Sequence, residues 1–401
     1  MKILLVNKFY YPRGGDCLVT ISMEELLKAH GHQVAIFSMQ YPNNLTTETS
    51  SLFPSEISFS GEGISSKISA VKRLLGKDEV AVLFRALLNE FKPDIVHLHN
   101  IHSYISPIVG EIAKRQGIRV VWTLHDYKLI CPAYSFLRES KVCELCLTNP
   151  LAVMTKKCMK KNVPASLLAY IESLVWNKKR LTKNTDIFVC PSLFMAEKMQ
   201  QGGFPAGKMK VLPNFISFKQ TEVQKDIPKR EKAYCYIGRL SEEKGIKSLQ
   251  EAASTLPFKL YIAGTGPMLP ELESCFQQKN IIYLGHLSQS KVKELLAKVT
   301  FSVTPSICYE NNPLSVIESL SAGTPVLGAH IGGIPELIKE HKNGMLFIPG
   351  NIEDLKSKIV SMFEFFEDED GKRSIRIATE ANQKYSGEHF YTELLKIYLD
   401  Q

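Results

Sequence analysis

The sequence predicts an α/β protein of two doubly wound halves, each a parallel sheet covered by helices, facing a central cleft. Three observations predict it. The chain opens as strand, glycine-bearing loop, helix and strand, which is a βαβ unit. From Tyr234 onward a second series alternates six short apolar strands with helices, the pattern of a parallel sheet buried on both faces. Its 401 residues are enough for two domains of ordinary size.

Taken in order, Lys2–Val6 (KILLV) reads as the first strand, and a helix from Leu18 to His30 stops at Gly31. Gln33–Ser38 is the second strand. The loop between them holds Pro12, Gly14 and Gly15 but no third glycine, so it is not the G-x-G-x-x-G dinucleotide loop. Residues 41–77 are polar and Ser-rich and read as loop with weak helix. Val80–Glu90 reads as helix. Asp94–His97 and Val120–Leu124 read as buried strands that run into His97, His99 and His125. Of the first two, one is read as a core histidine and the other as facing the cleft edge. Periodicity fades from Cys131 to Cys158. Leu167–Leu181 then reads as one long helix with an apolar stripe, inside a segment, 155–185, with eight basic side chains against one acid, Glu172.

Asp186–Cys190 and Lys210–Leu212 are strands with a helix, Pro191–Met199, between them. Thr221–Lys232, charged and carrying Pro228, reads as the inter-domain linker. The second series has strands at Tyr234–Ile237, Lys259–Ala263, Ile281–Leu284, Phe301–Thr304, Pro325–Leu327 and Met345–Ile348. Glu388–Leu399 is an amphipathic helix. The domains expected are 1–213 with a returning helix at 384–401, and 214–383.

The formal net charge is +8. That is mild for the length, and points to an anionic ligand or membrane surface more than to nucleic acid. No run of about 18 uncharged apolar residues is present, so no transmembrane helix is expected. The opening MKILLVNKFYYPRGG reads as a strand, not a signal peptide. Nine cysteines, an odd number, are read as thiols.

Doubly wound sheets bind ligands beyond the carboxyl ends of their strands. Gly14–Gly15, His125, Arg239 and Glu310 all stand at such ends. Arg239 offers a planar fork to phosphate oxygens and Lys244 a point charge, although both also suit a solvated helix start. After strand Phe301–Thr304, Asn312 fits a helix N-cap and Pro313 the first helical position. Glu310 then lies in the loop and Glu318 on the helix, able to grip hydroxyls on either side of an anion at the helix N-terminus. Cys131, Cys143, Cys146 and Cys158, spaced C-x11-C-x2-C-x11-C, suit a structural zinc. The basic segment beside its apolar stripe suits an anionic bilayer, or a plain solvated face.

Glu310 and Glu318 in E-x7-E, Gly238-Arg239 with Glu243-Lys244-Gly245, Ser321-Ala-Gly-Thr-Pro-Val, Gly332-Gly333-Ile-Pro-Glu336, Arg13-Gly14-Gly15 and Thr-Leu-His125-Asp126 resemble, in this order, the retaining nucleotide-sugar glycosyltransferases of family four. The resemblance covers nearly the whole chain. It implies the B-type fold of two Rossmann-like domains and transfer of a sugar from a UDP- or GDP-type donor without a catalytic metal. It implies that Arg239, Lys244, Gly14 and Gly15 meet the diphosphate and Glu318 the ribose. Glu310 would contact the donor sugar, assisted by Asn312 and by backbone N–H groups of Leu314 and Ser315. His125 would sit by the transferred sugar and acceptor. Bacterial members of this kind often extend lipid-linked surface polysaccharides, which implies a glycan or lipid-linked glycan acceptor and a cytoplasmic protein at the inner face of the plasma membrane. Pro313 departs from the glycine common at that position and removes one backbone donor. A two-Rossmann oxidoreductase and a catalytically silent sugar-binding protein are the competing readings. The missing G-x-G-x-x-G counts against the first, and intact Arg239, Lys244, Glu310 and Glu318 against the second.

Overall fold

A computed structural model describes residues 1–59, 64–159, 161–216, 230–275, 278–366 and 371–400. Lys160 and most of the segment read as a linker, 221–229, lie outside the described residues. The chain forms two compact units. The first comprises Met1–Phe136, Cys143–Pro213 and Phe390–Gln401; the second comprises Leu137–Val142 and Asn214–His389.

In the first unit the strands are β1 (Lys2–Val6), β2 (Gln33–Phe37), β3 (Ile95–Leu98) and β4 (Arg119–Thr123). A short antiparallel hairpin, β5 (Leu137–Arg138) with β6 (Lys141–Val142), groups with the second unit, and β7 (Ile187–Cys190) and β8 (Met209–Val211) complete the first. The six-stranded order is β2-β1-β3-β4-β7-β8, all parallel. In the second unit, β9 (Glu231–Ile237), β10 (Lys259–Ala263), β11 (Ile281–Gly285), β12 (Val299–Thr304), β13 (Val326–Ala329) and β14 (Gly344–Phe347) pair in parallel as β11-β10-β9-β12-β13-β14. The predicted fold class is the one observed. The inner strands of both sheets are largely buried apolar runs; Tyr234 on β9 stacks on Phe301 of β12 at 5.2 Å between ring centroids. Each such side chain contributes about 1.5–3 kcal/mol of burial.

The helix expected over Leu167–Leu181 is two helices, Val163–Val175 and Lys178–Lys183. Trp176 leaves helical geometry between them. Its indole is buried and donates to the Leu74 carbonyl (2.7 Å), while the Arg180 guanidinium covers its ring. Asn177 then caps the second helix by accepting from the Arg180 N–H. An uninterrupted helix could not bury the indole and keep this cap.

The helix Val163–Val175 is inside out. Ser166, Ala169 and Glu172 are buried, whereas Val163, Leu167, Ile171 and Leu174 are exposed. Glu172 faces inward because partners wait there: Lys128 Nζ lies 2.9 Å away, and the Ser103 N–H and hydroxyl both donate to it. Among the described residues no helix is long and apolar enough to cross a membrane.

Candidate functional site

The second sheet changes winding direction between β9 and β12, which are neighbours whose crossovers run opposite ways. Such a switch point opens a crevice beyond the strand ends. Gly238-Arg239 leaves β9 there, and residues 305–313 leave β12 there. Glu310 is held firmly in this loop. Its Oε1 accepts from Lys244 Nζ (2.6 Å) and from the Ser306 hydroxyl (2.5 Å). Burial would raise its carboxyl, but the Lys244 ammonium and the Ser306 hydroxyl outweigh that and hold it below the usual value. Glu310 is therefore an ionised, nearly buried acceptor.

Two glycines fix the loop. Gly245, at φ +67, passes so close that a Cβ would fall 1.9 Å from the Pro305 carbonyl oxygen. Gly332, at φ +61, would place a Cβ 2.4 Å from the Glu310 carbonyl oxygen. Any side chain at either position both strains the left-handed backbone and displaces the loop. The Gly333 N–H donates to that same Glu310 carbonyl (2.7 Å). Lys244 ends a short 3-10 turn, Glu242–Lys244, before the helix Ile246–Ser254. The cation expected at a helix start thus has a carboxylate partner already.

The helix after the loop begins at Leu314, one residue later than its sequence suggests, and Pro313 takes the cap position in extended geometry. Asn312 does not cap it. Its side-chain oxygen accepts from the Asn214 N–H (2.9 Å), and Asn214 Nδ2 donates back to the Asn312 carbonyl (2.8 Å). The N–H groups of Leu314 and Ser315 open the helix and have no i−4 carbonyl to bond. Glu318, on the same helix, has no hydrogen bond or ion pair to its carboxyl among the described residues. Burial alone raises it to about 7. Arg239 is exposed, with no partner for its guanidinium among the described residues; its carbonyl accepts from the Tyr236 hydroxyl (2.7 Å), which fixes the turn. Lys244 and Glu310 are thus in contact, whereas Arg239 and Glu318 stand unengaged.

In the first unit the loops after β1 and β3 are tied together. Asn7 Oδ1 accepts the Asn100 N–H (3.2 Å), and Asn100 Nδ2 donates to Asp16 Oδ2 (3.0 Å). Gly14 precedes the helix Gly15–Ala29, and Asp16 sits in its first turn, where a negative charge is favoured. Burial pushes the Asp16 carboxyl up, but the Lys8 ammonium, His125 and the Asn100 amide hold it low.

His97 and His99 are both fully buried. Their rings stack at 4.6 Å between centroids, which corrects the expectation of one core and one cleft-edge residue. Residues two apart on a strand share a face. His97 Nδ1 meets the Tyr398 hydroxyl (2.6 Å) and its Nε2 the Thr123 hydroxyl (2.7 Å). His99 Nδ1 lies 3.0 Å from His125 Nε2. Burial lowers His97 to about 3, and lowers His99 and His125 as well. Sequence reading missed Ser306 and the role of His99. The first had a signal, a small hydroxyl just before the acid; the second needed only the period-two rule.

The cysteines are partly gathered. Cys131 and Cys146 are buried and their thiols are hydrogen-bonded; this bond, with backbone N–H groups of Phe136 and Ala133, brings Cys131 down to about 7. Among the described residues, no three or more His, Cys, Asp or Glu side chains stand in a metal-holding arrangement. The hydrogen bond with Cys131, burial and the nearby Cys158 and Cys143 push the Cys146 thiol up.

Comparison with known proteins follows the two halves. The family model described as Glycosyltransferase Family 4 matches residues 18–220, and that of glycosyl transferases group 1 matches 217–379. An uncharacterized 42.6 kDa protein in the cps region of Klebsiella pneumoniae is 28% identical over 89% of this chain and 92% of that protein. The sulfoquinovosyl transferase SQD2 of Arabidopsis thaliana is 25% identical over 74% of this chain and 54% of its own length. Among solved structures, HepE of Anabaena in complex with UDP and glucose is 16% identical, covers both chains in full and has a TM-score of 0.66.

Proposed function

The chain belongs to glycosyltransferase family 4, and we propose that it moves a sugar from a nucleoside-diphosphate donor to a glycan or lipid-linked glycan, with retention of configuration and without a catalytic metal. The observation that carries this is the Lys244–Glu310 pair, clamped at the switch point of the second sheet in the loop that leads into the helix opened by Leu314 and Ser315. Negative charge grows on the departing diphosphate in the transition state, and fixed positive groups stabilise it there. Arg239 supplies the unengaged charge, Lys244 a second, and Gly14 and Gly15 offer close backbone approach. Glu318, without partners and pushed up by burial, takes the two ribose hydroxyls, whose hydrogen bonds replace lost hydration. Glu310, held ionised, accepts from hydroxyls of the transferred sugar and favours cationic character at its anomeric carbon. His125 meets the sugar and acceptor. The donor is of UDP or GDP type, and the screen below decides between them.

A thermal-shift and hydrolysis screen over nucleotide sugars tests the function. The expected result is a higher Tm with one nucleoside diphosphate, lost in Arg239→Ala. No shift with UDP, GDP or ADP removes the donor site. A shift without turnover on any acceptor makes the protein a silent binder.

The inside-out helix Val163–Val175 supports a peripheral place on the inner face of the plasma membrane. Its exposed apolar residues are flanked by exposed Lys156, Lys157, Lys161, Lys178, Lys179 and Lys183, the composition that seats on anionic lipid. Co-sedimentation with phosphatidylglycerol vesicles is expected, with little on phosphatidylcholine alone, and Leu167→Glu with Leu174→Glu should abolish it. Equal sedimentation of that variant removes the membrane reading. For the cysteines, Cys131, Cys143, Cys146 and Cys158 together offer four thiolates for a tetrahedral structural zinc site. Elemental analysis of purified protein should then find about one zinc per chain; folded, metal-free protein ends that reading.

A further inference from the structure

His99 has one partnered ring nitrogen and one bare one. Its Nδ1 meets His125 Nε2 at 3.0 Å, while its Nε2 is buried without any hydrogen-bond partner. The ring has little freedom to change this. It lies between His97 and His125, stacked on both, at 4.6 and 5.3 Å between centroids. Its backbone is pinned as well: the His99 N–H donates to the Val6 carbonyl (2.9 Å), and the Trp122 indole N–H donates to the His99 carbonyl (2.9 Å).

The hydrogen bond between the two histidines has two directions, with different consequences. If His125 Nε2 carries the proton and donates, His99 must hold its own proton on Nε2, which is then a buried N–H facing no acceptor. Orphaned buried N–H groups are rarer than under-used acceptors. If His99 Nδ1 carries the proton and donates, only a lone pair is left bare in the core. His125 then accepts at Nε2 and holds its proton on Nδ1, the ring nitrogen for which no partner exists among the described residues.

We propose that His99 is a positioning residue that fixes the tautomer of His125, so that His125 presents an Nδ1–H donor and has no free lone pair to act as a base. This rests on the placement of His125 at the transferred sugar. On that placement, His125 gives a hydrogen bond to a sugar or leaving-group oxygen and does not deprotonate the acceptor. The other histidine of the stack, His97, has both nitrogens engaged, by the Tyr398 and Thr123 hydroxyls, and holds the stack in place without entering the site.

The test is nitrogen-15 spectroscopy of histidine side chains in the intact protein, joined to kinetics. In wild type, His125 should show a proton-bearing Nδ1 and a bare Nε2; a proton on His125 Nε2 overturns the proposal. His99→Phe keeps a flat ring in the stack but removes the donor. It should shift His125 toward the other tautomer and lower kcat about tenfold, the size of one hydrogen bond, with donor KM within about twofold. His99→Asn, whose amide nitrogen can stand where Nδ1 was, should restore both tautomer and turnover. Full turnover in a His99→Phe protein of unchanged Tm, when His125→Ala is impaired, overturns the positioning role. Full turnover in His125→Ala instead overturns the placement of His125 and the positioning role with it, while the tautomer assignment stands or falls on the spectra.

Discussion

Glu310→Gln lowers kcat by about 100-fold or more while nucleoside-diphosphate affinity changes by less than about threefold, the range found when one transition-state contact is removed. Glutamine keeps the size of the side chain and an oxygen for Lys244 Nζ and the Ser306 hydroxyl, both now on Glu310 Oε1. What it lacks is the charge. The Lys244 ammonium and the Ser306 hydroxyl hold that charge in place against the cost of burial. A group kept ionised in a nearly dry loop acts on positive character at the sugar far more strongly than it would in water. Steady-state kinetics beside calorimetric titration with the diphosphate separate the two quantities. A variant that turns over at the wild-type rate takes Glu310 out of the chemistry.

Lys244→Met is the second large effect, and it reads out in stability as well as in binding. The Lys244 side chain is 30% exposed and that of Glu310 11%, so removing the ammonium leaves a largely buried carboxylate short of a partner, at a cost of about 1–3 kcal/mol. Adding Glu310→Gln removes the stranded charge, so the double variant should regain most of the lost stability in denaturant melts. The pH dependence follows the same logic. In wild type the folded Glu310 carboxyl lies below its ordinary value of 4.5, so its contribution is fully present above that value and is lost as pH falls through the folded value. Without Lys244, burial raises the carboxyl instead. The deficit of Lys244→Met is then greatest at neutral pH and shrinks as acid protonates Glu310. A double variant as unstable as the single one counts against the pair.

Much of the fold was legible because its inner strands are buried on both faces and stand out as apolar runs such as Lys2–Val6 and Lys259–Ala263. What pattern could not carry was any contact between distant positions. Lys244 and Glu310 were each recognisable, but nothing local to either says that they touch. The start of the Leu314 helix was misplaced by one residue because Asn312, a good cap by type, spends its side chain on the Asn214 backbone. The break at Trp176 was hidden for a similar reason: apolar spacing runs on through 163–181, and only the buried indole forces the helix to stop. Spacing singled out Cys143 and Cys146 as neighbours, but could not show that the thiol of Cys131 is hydrogen-bonded to that of Cys146.

The helix Gly387–Leu399 belongs to the second unit for its first residues and to the first unit from Phe390 onward. Tyr398, near its end, is the hydroxyl that occupies His97 in the histidine stack, and the Arg119 guanidinium at the start of β4 donates to the Ile397 carbonyl (3.0 Å). During synthesis, residues 1–213 therefore emerge long before the residues that finish their interior. At about 5–20 residues per second the wait for residue 398 is on the order of ten seconds or more. Through that interval β3 carries a buried imidazole without its hydroxyl partner. A chaperone or a neighbouring nascent chain meets a first unit that still lacks Tyr398, and the hydroxyl that engages His97 arrives only after the second unit has been made.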